Sequence, residues 1–144
     1  MVVLDASVIL KWWRPEEHHR RVSLEFRERF IEGWLTISVP SLVYFEVVSA
    51  MAEWRWPMAS RIEIIRALRR MGLKTFPERE WLLTATMEVM DSYGPQMRDA
   101  CYVALGAVKG WPLVTADRRA WRRVSRLGFV YYLPQVADVR QCDD

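Results

Sequence analysis

The sequence predicts an α/β fold of three layers, a parallel central sheet with helices on both faces. Short apolar runs of strand length alternate with longer amphipathic stretches along the whole chain. Parallel strands need crossover connections, and helices of this length supply them on both faces. No linker, internal repeat or low-complexity tract interrupts the pattern, so residues 1–144 read as one domain.

Taken in order, Val2 to Leu4 is a short apolar run, and Ala6 to Trp13 reads as a helix start that Pro15 breaks. Glu16 to Ile31 resumes a helical period with Val22, Phe26 and Phe30 on one side, and Gly33 ends it. Leu35 to Val39 is a strand stopped by Pro40, with Ser41 as N-cap of a helix from Leu42 to about Trp54. Trp56-Pro57 closes that helix. Another begins at or just before Ser60, carries Ile62, Ile65 and Leu68, and ends before Gly72. Leu73 to Phe76 is a strand and Glu78 to Tyr93 a helix, and Gly94-Pro95 turns the chain. Met97 to Val108 is an apolar helix, Pro112 to Thr115 a strand, and Asp117 to Leu127 an arginine-rich helix. Phe129 to Tyr132 is a last short strand before a tail.

Composition narrows the class. Fifty-one per cent hydrophobic with 27% charged residues is globular, and no apolar stretch approaches the roughly 20 residues of a membrane span. Asp5 interrupts the apolar start and no basic residue precedes it, so the start is not a signal peptide and the expected location is the cytoplasm. Cys101 lies in a helical apolar pattern and reads as a buried thiol. Cys142 lies in the polar tail; a bridge between the two stays open, and neither has the spacing of a zinc site. The net charge of +3 says little about nucleic acid. The kind of cation says more: Lys11, Lys74 and Lys109 are the only lysines, and arginine suits bidentate phosphate contacts. Thermal adaptation is an equal account, since asparagine is absent.

The informative feature is where four acids fall. Asp5 ends the first strand, and Asp117 follows the strand PLVT. Glu46 and Asp99 lie near the starts of apolar helices, in SLVYFEVVSAMAEW and QMRDACYVALGAV. In open parallel sheets ligands bind beyond the carboxyl ends of the strands. Helices that follow strands begin at that edge, so all four acids can face one crevice. Converging carboxylates repel, at about 4 kcal/mol per close pair for an effective dielectric near 20. A hard divalent cation, Mg²⁺ or Mn²⁺, resolves the repulsion, and such sites hydrolyse phosphodiesters. Ser7 and Thr115 stand beside Asp5 and Asp117 and can orient carboxylates. Each acid also has a plainer account: Asp5, Asp99 and Asp117 as helix caps, Glu46 as partner of an arginine.

With these residues the chain resembles the PIN-domain ribonucleases, and among them the VapC-type toxins of toxin–antitoxin pairs. The resemblance runs through four blocks, VVLDASVIL, VPSLVYFEVVSAM, MRDACYVALG and LVTADRRAW, whose order and spacing are the specific part. It implies a parallel sheet flanked by helices and a Mg²⁺- or Mn²⁺-dependent endoribonuclease, usually a homodimer and often inhibited by a cognate antitoxin. Asp5, Glu46, Asp99 and Asp117 match the family's catalytic and metal-holding acids, and Ser7 and Thr115 its hydroxyl positions. Many relatives carry a further acid soon after the position of Asp117. Here Arg118 and Arg119 stand there, which bears on a second metal ion and not on the first.

Arg118, Arg119 and Arg122, in a run that continues through Arg123 and Arg126, are candidate contacts for RNA phosphates, or else a solvated helix face. Trp12, Trp13, Trp54 and Trp56 fit either helix packing or an interface. His18 and His19 carry no catalytic role. A phosphoacceptor receiver domain would place an aspartate after the third strand and a lysine after a late one, and neither is present. A phosphatase attacking through aspartate would want an acid where Ser7 stands. A module that only binds RNA or an antitoxin is the alternative to an enzyme, and the presence of all four acids argues against it.

Overall fold

The computed structural model describes residues 1–140. Five strands, β1 (Val2–Leu4), β2 (Ile37–Pro40), β3 (Lys74–Phe76), β4 (Leu113–Thr115) and β5 (Val130–Tyr132), form one sheet in the order β3-β2-β1-β4-β5. Every neighbouring pair is parallel, with Val3 opposite Ser38 on one side and Leu113 on the other. Strands covered on both faces should be apolar throughout, and β1 and β4 are buried along their whole length. Ser38, in β2, departs from that rule. It is wholly buried, and its hydroxyl has no hydrogen-bond partner among the described residues.

The helices are α1 (Ala6–Ile9), α2 (Arg20–Ile31), α3 (Leu42–Glu53), α4 (Met58–Arg70), α5 (Glu80–Tyr93), α6 (Met97–Lys109), α7 (Arg118–Val124) and α8 (Leu133–Arg140). Val2, Val114 and Tyr131 face Phe26 of α2 and Val136 of α8 across one side of the sheet. Leu113 and Val130 face Val103 of α6 and Val124 of α7 on the other. The predicted three layers are therefore present. Gly106 explains how α6 lies so close: a Cβ there would stand 3.0 Å from the Phe129 ring and from the Trp111 carbonyl.

Four local expectations are corrected. The helix expected from Glu16 begins at Arg20, because Glu16 and Glu17 are held by Arg14 at 2.8 and 2.9 Å and Glu17 also by Lys11. His19, at φ 57°, lies outside the right-handed helical region. Pro40 belongs to β2 rather than stopping it; it stands on the side facing β3, and the first free amide beyond it, Ser41 N, donates to the Phe76 carbonyl. Ser41 does not cap α3: its backbone is already helical, and its hydroxyl donates to Glu78 instead. The segment after Tyr132 is no tail at its start, for Leu133 is fully buried and opens α8. Cys142 lies outside the described residues, and so does any bridge from it to Cys101. Trp12 follows the packing account, buried with its indole N–H donating to the Ser23 carbonyl.

The strand order fixes where a ligand can sit. From β1 the chain winds outward through β2 and β3, then returns to add β4 on the opposite side of β1. The crossovers diverge between β1 and β4, and a crevice opens at the carboxyl ends of these two strands.

Candidate active site

Asp5 follows the last residue of β1 and is almost wholly buried, 7% exposed. Two hydroxyls hold it. Ser7 Oγ donates to Asp5 Oδ2 at 2.6 Å, and Thr115 Oγ1, at the end of β4, donates to the same oxygen at 2.7 Å. Both hydroxyl oxygens in turn accept from backbone amides of the next turn: Ser7 Oγ from Ala116 N and Thr115 Oγ1 from Asp117 N. Each hydroxyl has one proton to give and gives it to Asp5, so the 3.4 Å approach of Ser7 to Thr115 is a contact without a proton to share. The β1 and β4 ends are thereby laced together around one carboxylate. Asp5 makes no cap bond to α1, so the capping account of it fails.

Glu46 sits one turn into α3, which β2 delivers to the same edge. It pairs with no arginine among the described residues; Tyr102 Oη of α6 donates to Glu46 Oε2 at 2.5 Å. Burial pushes the Glu46 carboxyl up to about 7; the Tyr102 bond opposes this, and the nearby charge of Asp5 adds to it. Burial, together with the charges of Glu46 and Asp5, drives the Tyr102 hydroxyl well above its ordinary value, so it stays a donor.

Asp99 stands in the first turn of α6, capping nothing. It reaches the crevice by a different route from the one expected. α6 follows α5, not a strand, and must feed the amino end of β4, so its own N-terminus lies at the carboxyl edge. Burial raises the Asp99 carboxyl to about 6, and the charges of Asp5 and Asp117 push the same way. Burial likewise raises Asp5, and Asp117 adds to it. Asp117 does cap its helix: Oδ1 accepts from Arg119 N at 2.8 Å and Ala120 N at 3.0 Å.

All four acids line one cleft of about 490 Å³, together with Ser7, Leu10, Phe45, Glu53, Trp54 and Arg98. Among the described residues no three His, Cys, Asp or Glu side chains form a closed ligand group. The acids share a cleft without forming a cage. That arrangement suits Mg²⁺, which keeps several waters and takes one or two carboxylates, better than it suits a dehydrated ion. The donor set is all oxygen, and three of its carboxyls are raised by burial and mutual repulsion. A hard divalent cation would relieve both, so the residues present fit one.

Sequence reasoning missed Tyr102, Arg98 and Glu53. Tyr102 follows Asp99 by three residues and Glu53 follows Glu46 by seven, helical spacings that place each pair on one side. The arginine run divides. Arg123 donates to the Gly94 carbonyl at 2.6 Å, and Arg126 donates to Ser92 O and lies over the Tyr93 ring, so α7 and the turn after it are tied to the end of α5. Arg118, Arg119 and Arg122 are exposed, with no ion pair among the described residues. Trp54, at the cleft wall, has Arg14 over its ring at 4.4 Å and Trp56 beside it at 4.9 Å.

Residues 2–127 match the family model described as the PIN domain. No curated protein sequence matches the chain. Solved structures share the fold at low identity. A toxin–antitoxin complex from Klebsiella pneumoniae superposes with a TM-score of 0.68 at 10% identity, covering 92% of this chain and 98% of that one. VapC20 of Mycobacterium tuberculosis, a toxin that cleaves the sarcin–ricin loop, gives 0.68 at 13%, covering 90% and 97%. VapBC-1 from nontypeable Haemophilus influenzae gives 0.65 at 14%, covering 93% and 99%.

Proposed function

This chain belongs to the PIN-domain family, and from that premise we propose that it is a Mg²⁺- or Mn²⁺-dependent endoribonuclease, the toxin of a toxin–antitoxin pair. One observation carries the reading: Asp5 after β1, Glu46 of α3, Asp99 of α6 and Asp117 before α7 line a single cleft where the strand order reverses. We take these four as the catalytic and metal-holding acids. Residues 1–144 act as one nuclease domain in this reading.

Bound among these carboxylates, the cation would supply Lewis-acid activation of water and neutralise charge at the phosphate. The chain's own residues prepare the place. Ser7 and Thr115 fix the plane of the Asp5 carboxylate, which limits where Asp5 can present its lone pairs. Tyr102 holds Glu46 Oε2 and leaves Oε1 without a hydrogen bond among the described residues. Asp117 Oδ1 is engaged by the α7 amides, so its contribution to the cleft comes through Oδ2. Arg118, Arg119 and Arg122, uncommitted at the start of α7 beside Asp117, are suited to flanking RNA phosphates.

A cognate antitoxin, a second copy of the chain and an RNA substrate are the partners this reading requires. Exposed Phe45, Val48, Leu83 and Met87 offer apolar surface for the two protein contacts. The toxin–antitoxin relatives support the assignment by shared fold. No helix among the described residues is long and apolar enough to cross a membrane; action in the cytoplasm is part of the proposal.

The deciding experiment incubates the purified chain with a labelled RNA pool in Mn²⁺, in Mg²⁺ and in chelator, beside Asp5→Asn and Asp99→Asn. Cleavage that needs the metal and is lost in both variants is the expected result. No cleavage in any condition, together with no Mn²⁺ binding by calorimetry, would reject the enzyme and leave a binding module.

A further inference from the structure

We infer that Arg98 grips a phosphate of the RNA strand in the cleft, an inference that rests on the nuclease reading above. A cleft lined by acids repels a polyanion on every side that a metal ion does not cover. Something cationic has to hold the strand where it passes the cation. Among the described residues lining the cleft, Arg98 alone is positively charged.

Its lack of a commitment is the second observation. Arg98 is exposed on the first turn of α6, and no carboxylate lies within 4 Å of its guanidinium among the described residues. This is unusual company in which to stay unpaired, since its charge acts on both Glu46 and Asp99. For Asp99 helix geometry accounts for it: Arg98 and Asp99 are adjacent, and adjacent positions do not face each other. Arg118, Arg119 and Arg122 are equally free but do not line the cleft, and several other arginines are occupied. Arg14 pairs with Glu16 and Glu17, Arg20 donates to the Lys11 and Trp12 carbonyls, and Arg61 to that of Trp56. Arg98 is thus a long, free, permanently charged side chain at the acidic cleft. A guanidinium there can take two oxygens of one phosphate in a fork, which a lysine cannot reproduce. Its neighbour Asp99 makes that phosphate one close to the reacting position.

The test compares wild type, Arg98→Gln, Arg98→Lys and a charge-matched control, Arg29→Gln, on the far end of α2. Fluorescein-labelled single-stranded RNA is titrated in Ca²⁺ by anisotropy between about 50 and 200 mM salt. Cleavage kinetics in Mn²⁺ and Mn²⁺ affinity by calorimetry are measured on the same proteins. Arg98→Gln is expected to lower the slope of log K against log salt by about 0.7, the share of one phosphate contact on a single strand. Its kcat/KM should fall roughly 10–100-fold, the loss of one charge-assisted hydrogen-bonded contact. Mn²⁺ affinity should hold or tighten, since a cation has left the site, and Arg98→Lys should recover the slope but not the full rate. If Arg98→Gln keeps the wild-type slope and kcat/KM, Arg98 merely screens the acids and the proposal falls while the nuclease reading stands. A wild type that neither binds nor cleaves RNA overturns both.

Discussion

At the scale of single residues the site is organised around Asp5, because it is the most buried of the four acids and the only one held by two hydroxyls. A carboxylate this deep is costly unless its lone pairs are satisfied. Thr115 contributes twice, donating to Asp5 and accepting from Asp117 N, so its removal loosens two acids at once. Thr115→Val keeps shape and burial and removes only the hydroxyl. Mn²⁺ affinity and cleavage rate should drop about 10–100-fold, the usual effect of losing a group that orients a metal ligand. Thr115→Ser should restore most of both. Calorimetric titration with Mn²⁺ decides the matter; wild-type affinity in Thr115→Val would mean that Ser7 alone suffices to orient Asp5.

At the scale of elements, Asp117 does two jobs that can be separated. Its Oδ1 caps α7, and its charge faces the cleft. Asparagine caps as well as aspartate, whereas alanine does not. Asp117→Ala should therefore cost about 1 kcal/mol of stability as well as activity. Asp117→Asn should keep the melting temperature while losing the same activity, so equal melting temperatures for both variants would remove the capping role. The same element shows what the sequence could and could not reveal. The alternation of short apolar runs with amphipathic stretches located all five strands, and it put the four acids at strand ends and helix starts, which local residue choice marks. Ser7 and Thr115 were legible as neighbours of those acids. The start of α2 was not, because Glu16 and Glu17 are good helix formers diverted by pairing with Arg14 and Lys11, a tertiary fact. The Ser41 cap was misread for the same kind of reason: Glu78, 37 residues away, takes its hydroxyl. Tyr102, Arg98 and Glu53 sit on helices whose spacing was visible, but their meaning depends on which face turns to the crevice. The division of the arginine run was equally hidden, since only packing brings Arg123 to Gly94.

At the scale of the whole molecule, the cleft should make stability depend on pH in an unusual direction. Glu46 is raised from its ordinary 4.5 to about 7 and Asp99 from 3.8 to about 6, both chiefly by burial. The folded chain therefore binds protons more tightly than the unfolded chain at these groups. Between the two values stability must fall as pH rises, because deprotonation is easier after unfolding. The penalty is absent below the ordinary carboxylate range and complete above about pH 7. For Glu46 it is on the order of 2–3 kcal/mol after allowance for its partial exposure. Asp5, raised by burial, acts in the same sense. Glu16 and Glu78 are lowered by hydrogen bonds, so their contributions vanish only as pH falls through the carboxylate range, below the window at issue. The metal-free protein should accordingly lose roughly 5–10 °C of melting temperature between pH 5 and pH 7.5. A divalent cation competes with those same protons and binds only the folded site, so its stabilisation should be small at pH 5 and grow toward pH 7.5. Scanning calorimetry with and without Mn²⁺, on wild type and Glu46→Gln, checks both halves. Glu46→Gln removes one of the titrating groups and should make the metal-free curve shallower, the remaining fall being that of Asp99 and Asp5. A wild-type curve that is already flat, or a Mn²⁺ effect independent of pH, would mean that the acids do not share the strained, charge-crowded cleft from which the catalytic reading begins.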